Sequence, residues 1–136
     1  MSTPNDFISP QTINCSTGVA TTANTNYSDA PTSAVVIFTA GASGARVTRI
    51  SAVARATVTD AELQLFRDQN GSGTAKRLFR SRKMAAYTVA QTTANTETDF
   101  GFSDDNPLIV APAEKLYAAI GVTNTGIVFN VEGADY

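Results

Sequence analysis

Arg46-Val47-Thr48-Arg49-Ile50-Ser51-Ala52-Val53-Ala54-Arg55-Ala56-Thr57-Val58-Thr59 decides the fold class of this chain. In an extended backbone, Ile50, Ala52, Ala54, Ala56 and Val58 fall on one face, and Arg49, Ser51, Val53, Arg55, Thr57 and Thr59 on the other. That alternation is the period of a half-buried antiparallel strand. Leu63 and Leu65 continue the pattern in Glu62 to Arg67, and the Asn-Gly and Gly content of Asp68-Gln69-Asn70-Gly71-Ser72-Gly73 marks a hairpin loop before a return strand, Lys76 to Lys83. Upstream, Ala34 to Thr39 reads as a buried strand and Ala40 to Gly44 as a turn.

Toward the C-terminus, Met84 to Gln91 suits either one helical turn or a strand, and Thr92 to Thr96 reads as loop. Glu97 to Ser103 alternates again, with Phe100 and Phe102 on one face. Turns at Asp104-Asp105-Asn106-Pro107 and Ala111-Pro112-Ala113-Glu114 flank a short strand, Leu108 to Val110. Lys115 to Val122 and Ile127 to Glu132 are expected to pair across Thr123-Asn124-Thr125-Gly126 as a terminal hairpin. Seven or eight short strands at this spacing predict an all-β fold, an antiparallel β-sandwich of jelly-roll type, and not βαβ units.

The 136 residues fit one domain. Thr, Val and Ile together supply 37 of them, a β-branched excess suited to pleated surfaces. Residues 1–33 differ in texture: they are polar, with the low-complexity run Thr21-Thr22-Ala23-Asn24-Thr25-Asn26, and bury too little apolar surface to order themselves. They read as an extended N-terminal arm, in which Phe7, Ile8, Ile13 and Val19 leave room for one short strand, and residues 34–136 read as the sandwich domain.

Composition excludes much chemistry. Histidine is absent, which removes Ser-His-Asp and Cys-His nucleophiles and His-based zinc sites. A single cysteine, Cys15, forms neither an intramolecular disulfide nor a thiolate cluster. The net charge of -2 gives the whole chain no reason to seek nucleic acid, and no apolar run is long enough for a bilayer. The start has no basic and apolar leader, which predicts synthesis in the cytoplasm without a secretory signal.

The motifs that could carry chemistry fail on inspection. Asp68 to Gly73 begins like a calcium-binding loop, with oxygen side chains at alternate positions and Gly at the sixth, but the twelfth position is Phe79 where Glu belongs, so it reads as a hairpin turn. Asp104-Asp105 reads as a solvated turn. Gly41-Ala42-Ser43-Gly44 lacks the Lys and spacing of a phosphate loop. Asp99 with Asp104 has no cleft assigned to it as a glycosidase pair. The reading is a non-enzyme without cofactor or metal.

Charge is distributed unevenly. Nine of the ten basic residues lie between Arg46 and Lys83, a segment of net +6, while Met84 to Tyr136 carries -6. Either the halves occupy different surfaces and make an electrically polar molecule, or they interleave and neutralise each other. Lys76-Arg77-Leu78-Phe79-Arg80-Ser81-Arg82-Lys83 places Leu78, Arg80 and Arg82 on one face and Arg77, Phe79, Ser81 and Lys83 on the other. Neither face is free of charge, so this strand belongs at an edge or a contact surface. Arg77, Arg80, Arg82 and Lys83, helped by Arg49 and Arg55, form the candidate interaction surface, a set of cations fit to grip carboxylates. The alternative role is to blunt an edge against aggregation.

VVIFTAGASGARVTRISAVA, the Gly-rich hairpin, PLIVAPAEKLYAAIGV and the terminal FNVEGADY resemble small β-rich virion proteins of tailed bacteriophages, of the capsid-decoration or head-fibre kind. The resemblance covers roughly Ala34 to Tyr136. It implies a non-enzymatic structural protein located in the virion, whose partners are the major capsid protein or another virion component and further copies of itself, with a trimer expected. The competing reading is a tail or fibre module that recognises host-surface carbohydrate. The absence of Trp and the dispersal of Tyr27, Tyr87, Tyr117 and Tyr136 weigh against it.

Overall fold

Alternation becomes nine strands in the computed structural model, which describes residues 12–136. They are β1 (Thr12–Ala20), β2 (Val35–Thr39), β3 (Ala45–Ala54), β4 (Ala61–Asp68), β5 (Arg77–Met84), β6 (Thr98–Asp99), β7 (Leu108–Val110), β8 (Lys115–Ile120) and β9 (Ile127–Asp135). Two antiparallel sheets form. One runs β1-β9-β3-β6 with β7 also on β3, and the other runs β2-β8-β4-β5. The described residues contain no helix; of the stretch Met84 to Gln91, Met84 ends β5 and the rest is irregular apart from one bridge between Val58 and Tyr87.

Facing sides of the sheets supply the core. Val47, Ile50 and Ala52 of β3 meet Leu63 and Leu65 of β4, Leu116, Ala118 and Ile120 of β8, and Phe129 and Val131 of β9 in one buried cluster. Phe100 and Phe129 pack with ring centroids 6.3 Å apart. β3 does not alternate without a break: its register against β9 shifts between Val47 and Arg49, so Val47 and Ile50 both face inward across a bulge at Thr48. The strand also ends at Ala54, not Thr59, where one last bond, from Arg55 N–H to the Gly126 carbonyl at 2.7 Å, continues the β3–β9 register.

Two expectations are corrected. Lys115 to Val122 and Ile127 to Glu132 do not pair with each other. β8 lies between β2 and β4, and β9 between β1 and β3, so residues 121–126 carry the chain from one sheet to the other. Each strand is apolar on its inward side, and placing them in opposite sheets buries those sides against each other.

The extended arm read over residues 1–33 does not describe residues 12–33. β1 pairs with β9 along its whole length, from Thr12 opposite Asp135 to Ala20 opposite Ile127. Residues 21–34 then lie on the outer face of the second sheet, where Gln64, Phe66 and Ala119 are fully buried. Asn24 fastens this segment. It is buried, its N–H donates to the Ile120 carbonyl at 2.8 Å, and its side-chain amide donates to Gln64 Oε1 at 2.7 Å. Polar composition misled here because the segment borrows a finished surface and needs no core of its own. The part of the arm at residues 1–11 lies outside the described residues.

Candidate interaction surface

β5 is the edge of its sheet, and its charged residues explain why it stays there. The register against β4 shifts between Leu65 and Phe66, leaving Phe79 as an extra residue in β5. That bulge separates Leu78, opposite the outward Phe66, from Arg80 and Arg82, opposite the inward Leu65 and Leu63. The period-2 reading put these three on one face. Arg80 and Arg82 thus point toward the open side of the sandwich, where the first sheet supplies something to bind.

That group is the Phe100 carbonyl. Arg80 Nη1 donates to it at 2.9 Å and Arg82 Nη2 at 3.3 Å. Arg80 also lies over the Phe102 ring, 4.4 Å from its centroid, a cation–π contact. Phe100 is held from behind, with its ring in the core and its N–H on the Ile50 carbonyl at 2.9 Å. Gly101 makes the turn possible. Its φ of +90° is strained for other residues, and a Cβ there would stand 3.2 Å from Arg82 Nη2.

Other members of the candidate set are scattered and engaged within the chain. Arg49 on β3 bonds Glu97 and lies 3.8 Å from Asp99 and 3.9 Å from Glu132. Arg77 pairs with Asp29 at 3.4 Å, and Lys83 with Asp60 at 3.2 Å. Hydrogen bonding from Ala86 N–H, then the Lys83 ammonium, holds the Asp60 carboxyl below its ordinary range. Arg55 reaches the Thr125 carbonyl at 3.2 Å and lies against Gly126. The structure therefore joins Arg80 and Arg82 at one point, and among the described residues neither has a carboxylate within ion-pair distance. A shallow groove of about 370 Å³, lined by Asp60, Glu62, Ser81, Arg82 and Lys83, runs along this edge.

The basic and acidic halves interleave. β3 from the basic half pairs with β9, β6 and β7 from the acidic half, and β4 pairs with β8. The strongest product of this mixing escaped sequence reading. Glu114, fully buried, takes Arg67 Nε at 2.6 Å and Nη2 at 2.9 Å, and also accepts Ala111 N–H at 2.8 Å. The bond to Glu114 raises the already high Arg67 pKa against the opposing effect of burial. The partners stand 47 positions apart, and nothing local to either marks the pair. No family model, curated protein or solved structure matches this chain.

Proposed function

We propose that this chain is a bacteriophage virion structural protein of jelly-roll fold, a capsid decoration protein that docks on the major capsid protein or another virion component and associates with itself, as a trimer. Strand order supports the fold assignment. β1 pairs with β9, β2 with β8, β3 with β7 and β4 with β5, a nested set of antiparallel pairs wrapped into two sheets. That is how a long ribbon rolls into a jelly roll, an architecture shared by viral capsid and lectin domains.

The observation that carries the docking surface is the pairing of Arg80 and Arg82 on one carbonyl without a carboxylate partner among the described residues. Each guanidinium has five N–H donors, so most of their capacity is left for a partner's carboxylate. Self-association draws on the outward face of the first sheet. There Ile13, Ala134, Arg46 and Ile109 lie in one cross-strand row, and Val19, Val128 and Val53 in another.

Charge reversal at the exposed Arg82 tests the docking role. Arg82→Glu is expected to fold with a thermal midpoint close to wild type and to fail to enter particles, and wild-type binding is expected to weaken with salt. Normal incorporation of Arg82→Glu and of Arg80→Gln would leave both arginines with edge protection alone. Sedimentation at micromolar concentration tests the trimer, and a strict monomer in solution and on the particle would refute it.

A further inference from the structure

The Asp68-to-Gly73 loop carries a feature that a hairpin turn does not require. Asp68 is almost wholly buried, at 1 % exposure, and its two oxygens are treated differently. Oδ2 accepts the Gly73 N–H at 2.6 Å, which turns the carboxylate over the loop, whereas Oδ1 is buried and has no hydrogen-bond donor among the described residues. Burying a carboxylate oxygen without a partner is costly.

The surrounding cations do not supply one. Lys115 stands opposite Asp68 in the β4–β8 register, yet no ion pair joins them. Arg67 is committed to Glu114 and Arg77 to Asp29. The Lys76 ammonium sits over the Tyr117 ring, 4.8 Å from its centroid.

Oxygen atoms also lie close together along the loop itself. Counting Asp68 as the first position of a calcium loop, Asn70 and Ser72 are the third and fifth, Gly73 with φ +80° makes the turn at the sixth, and the seventh-position carbonyl belongs to Thr74. Asn70 Oδ1 and Ser72 Oγ lie 2.7 Å apart, and Ser72 Oγ is 2.7 Å from Thr74 Oγ1.

We infer that this hairpin loop is a low-affinity calcium site, in which Asp68 Oδ1, Asn70 Oδ1, Ser72 Oγ and the Thr74 carbonyl hold the ion and water completes the shell. Among the described residues no group of three or more His, Cys, Asp and Glu side chains is placed to hold a metal ion, so the ion is held here by one carboxylate and neutral oxygens. A single negative charge, with Lys76 and Phe79 at the ninth and twelfth positions, places the affinity at the weak end, with Kd about 0.1–1 mM. Calcium is favoured over magnesium because it tolerates an irregular, partly hydrated shell, whereas magnesium demands a near-ideal octahedron. Gly71 packs so closely on the Ala113 carbonyl that a Cβ would stand 2.4 Å from it, so an ion in the loop also tightens the turn between β7 and β8.

Terbium luminescence and thermal melts on the whole chain test the site without any virion partner. Tyr117 is the internal sensitiser: it stands opposite Phe66 in the β4–β8 register, two residues along β8 from the Lys115 that stands opposite Asp68. Wild type is expected to sensitise terbium on tyrosine excitation, to release it to millimolar calcium but not to equal magnesium, and to melt higher in calcium. Asp68→Asn should abolish all three responses. Because that variant alters a buried group, the exposed-loop double variant Asn70→Ala with Ser72→Ala is the second arm, expected to keep the calcium-free midpoint and to bind at least tenfold more weakly. The inference is overturned by a wild type indifferent to calcium up to about 10 mM, well above the expected Kd, by equal responses to magnesium, or by a double variant that binds as wild type does.

Discussion

Arg67 and Glu114 show how much one residue contact can hold. The buried carboxylate ties β4 to the start of β8 and, through Ala111 N–H, shapes the turn in which Ala113 takes φ +60°. Arg67 Nη2 also donates to the Ile109 carbonyl at 2.8 Å, so one guanidinium spans both sides of that turn. Glu114→Ala leaves a half-buried guanidinium without its partner and is expected to cost about 3 kcal/mol, read as a lower denaturant midpoint at unchanged slope. Asp60 makes a prediction for pH. Its depressed carboxyl contributes stability above the ordinary value of about 4 and loses it as pH falls through the lower folded value. Asp60→Asn should therefore lower stability slightly at neutral pH and converge on wild type in acid, flattening part of the acid limb below about pH 4, as acid titration of the unfolding transition will report.

Elements meet where side chains reach across open edges. β1 and β2 belong to different sheets, yet Asn14 donates to the Thr39 carbonyl at 2.9 Å and Ser16 to that of Ile37. Gly18 lets the strands approach, for a Cβ there would stand 2.8 Å from Ile37 Cγ2 and 2.9 Å from the Val36 carbonyl. Gly18→Ala is expected to destabilise by about 1–3 kcal/mol through overpacking, measured by denaturant titration. The docked segment at residues 21–34 hangs on Asn24, whose Oδ1 accepts from the backbone N–H groups of Asn26 and Thr32. Asn24→Ala strands several of these donors and Gln64, at about 2 kcal/mol. Limited proteolysis should then cut between Thr21 and Ala34 in the variant and spare that span in wild type.

For the whole molecule, connectivity has a kinetic consequence. Apart from the β4–β5 hairpin, the main pairings join distant parts of the chain, and β1 with β9 joins Thr12 to Asp135. Closing such loops precedes any gain from the contacts, so refolding is expected on the millisecond-to-second scale, as stopped-flow fluorescence of the tyrosines will measure. A trimer adds a second signature, because association stabilises the folded state by mass action and makes the thermal midpoint rise with protein concentration.

The sequence by itself determined where the chain extends and turns. Apolar runs, alternation and turn signals located β2, β4, β5 and β7 to within a residue or so, Asn70-Gly71 marked the β4–β5 hairpin, and charge on both faces of Lys76 to Lys83 marked an edge strand. These are properties of a strand and its own two faces, carried by neighbouring residues. Partner choice is not local, and tertiary structure alone decided it. It sent β8 and β9 to different sheets, inserted bulges at Thr48 and Phe79 that reverse a face, drew polar residues 12–34 onto finished surfaces, and brought Arg80 and Arg82 to one carbonyl while Arg49, Arg55, Arg77 and Lys83 found other partners. The physical reason is that each of these outcomes depends on which surface becomes buried against which, and that is settled only when both sheets close on one core.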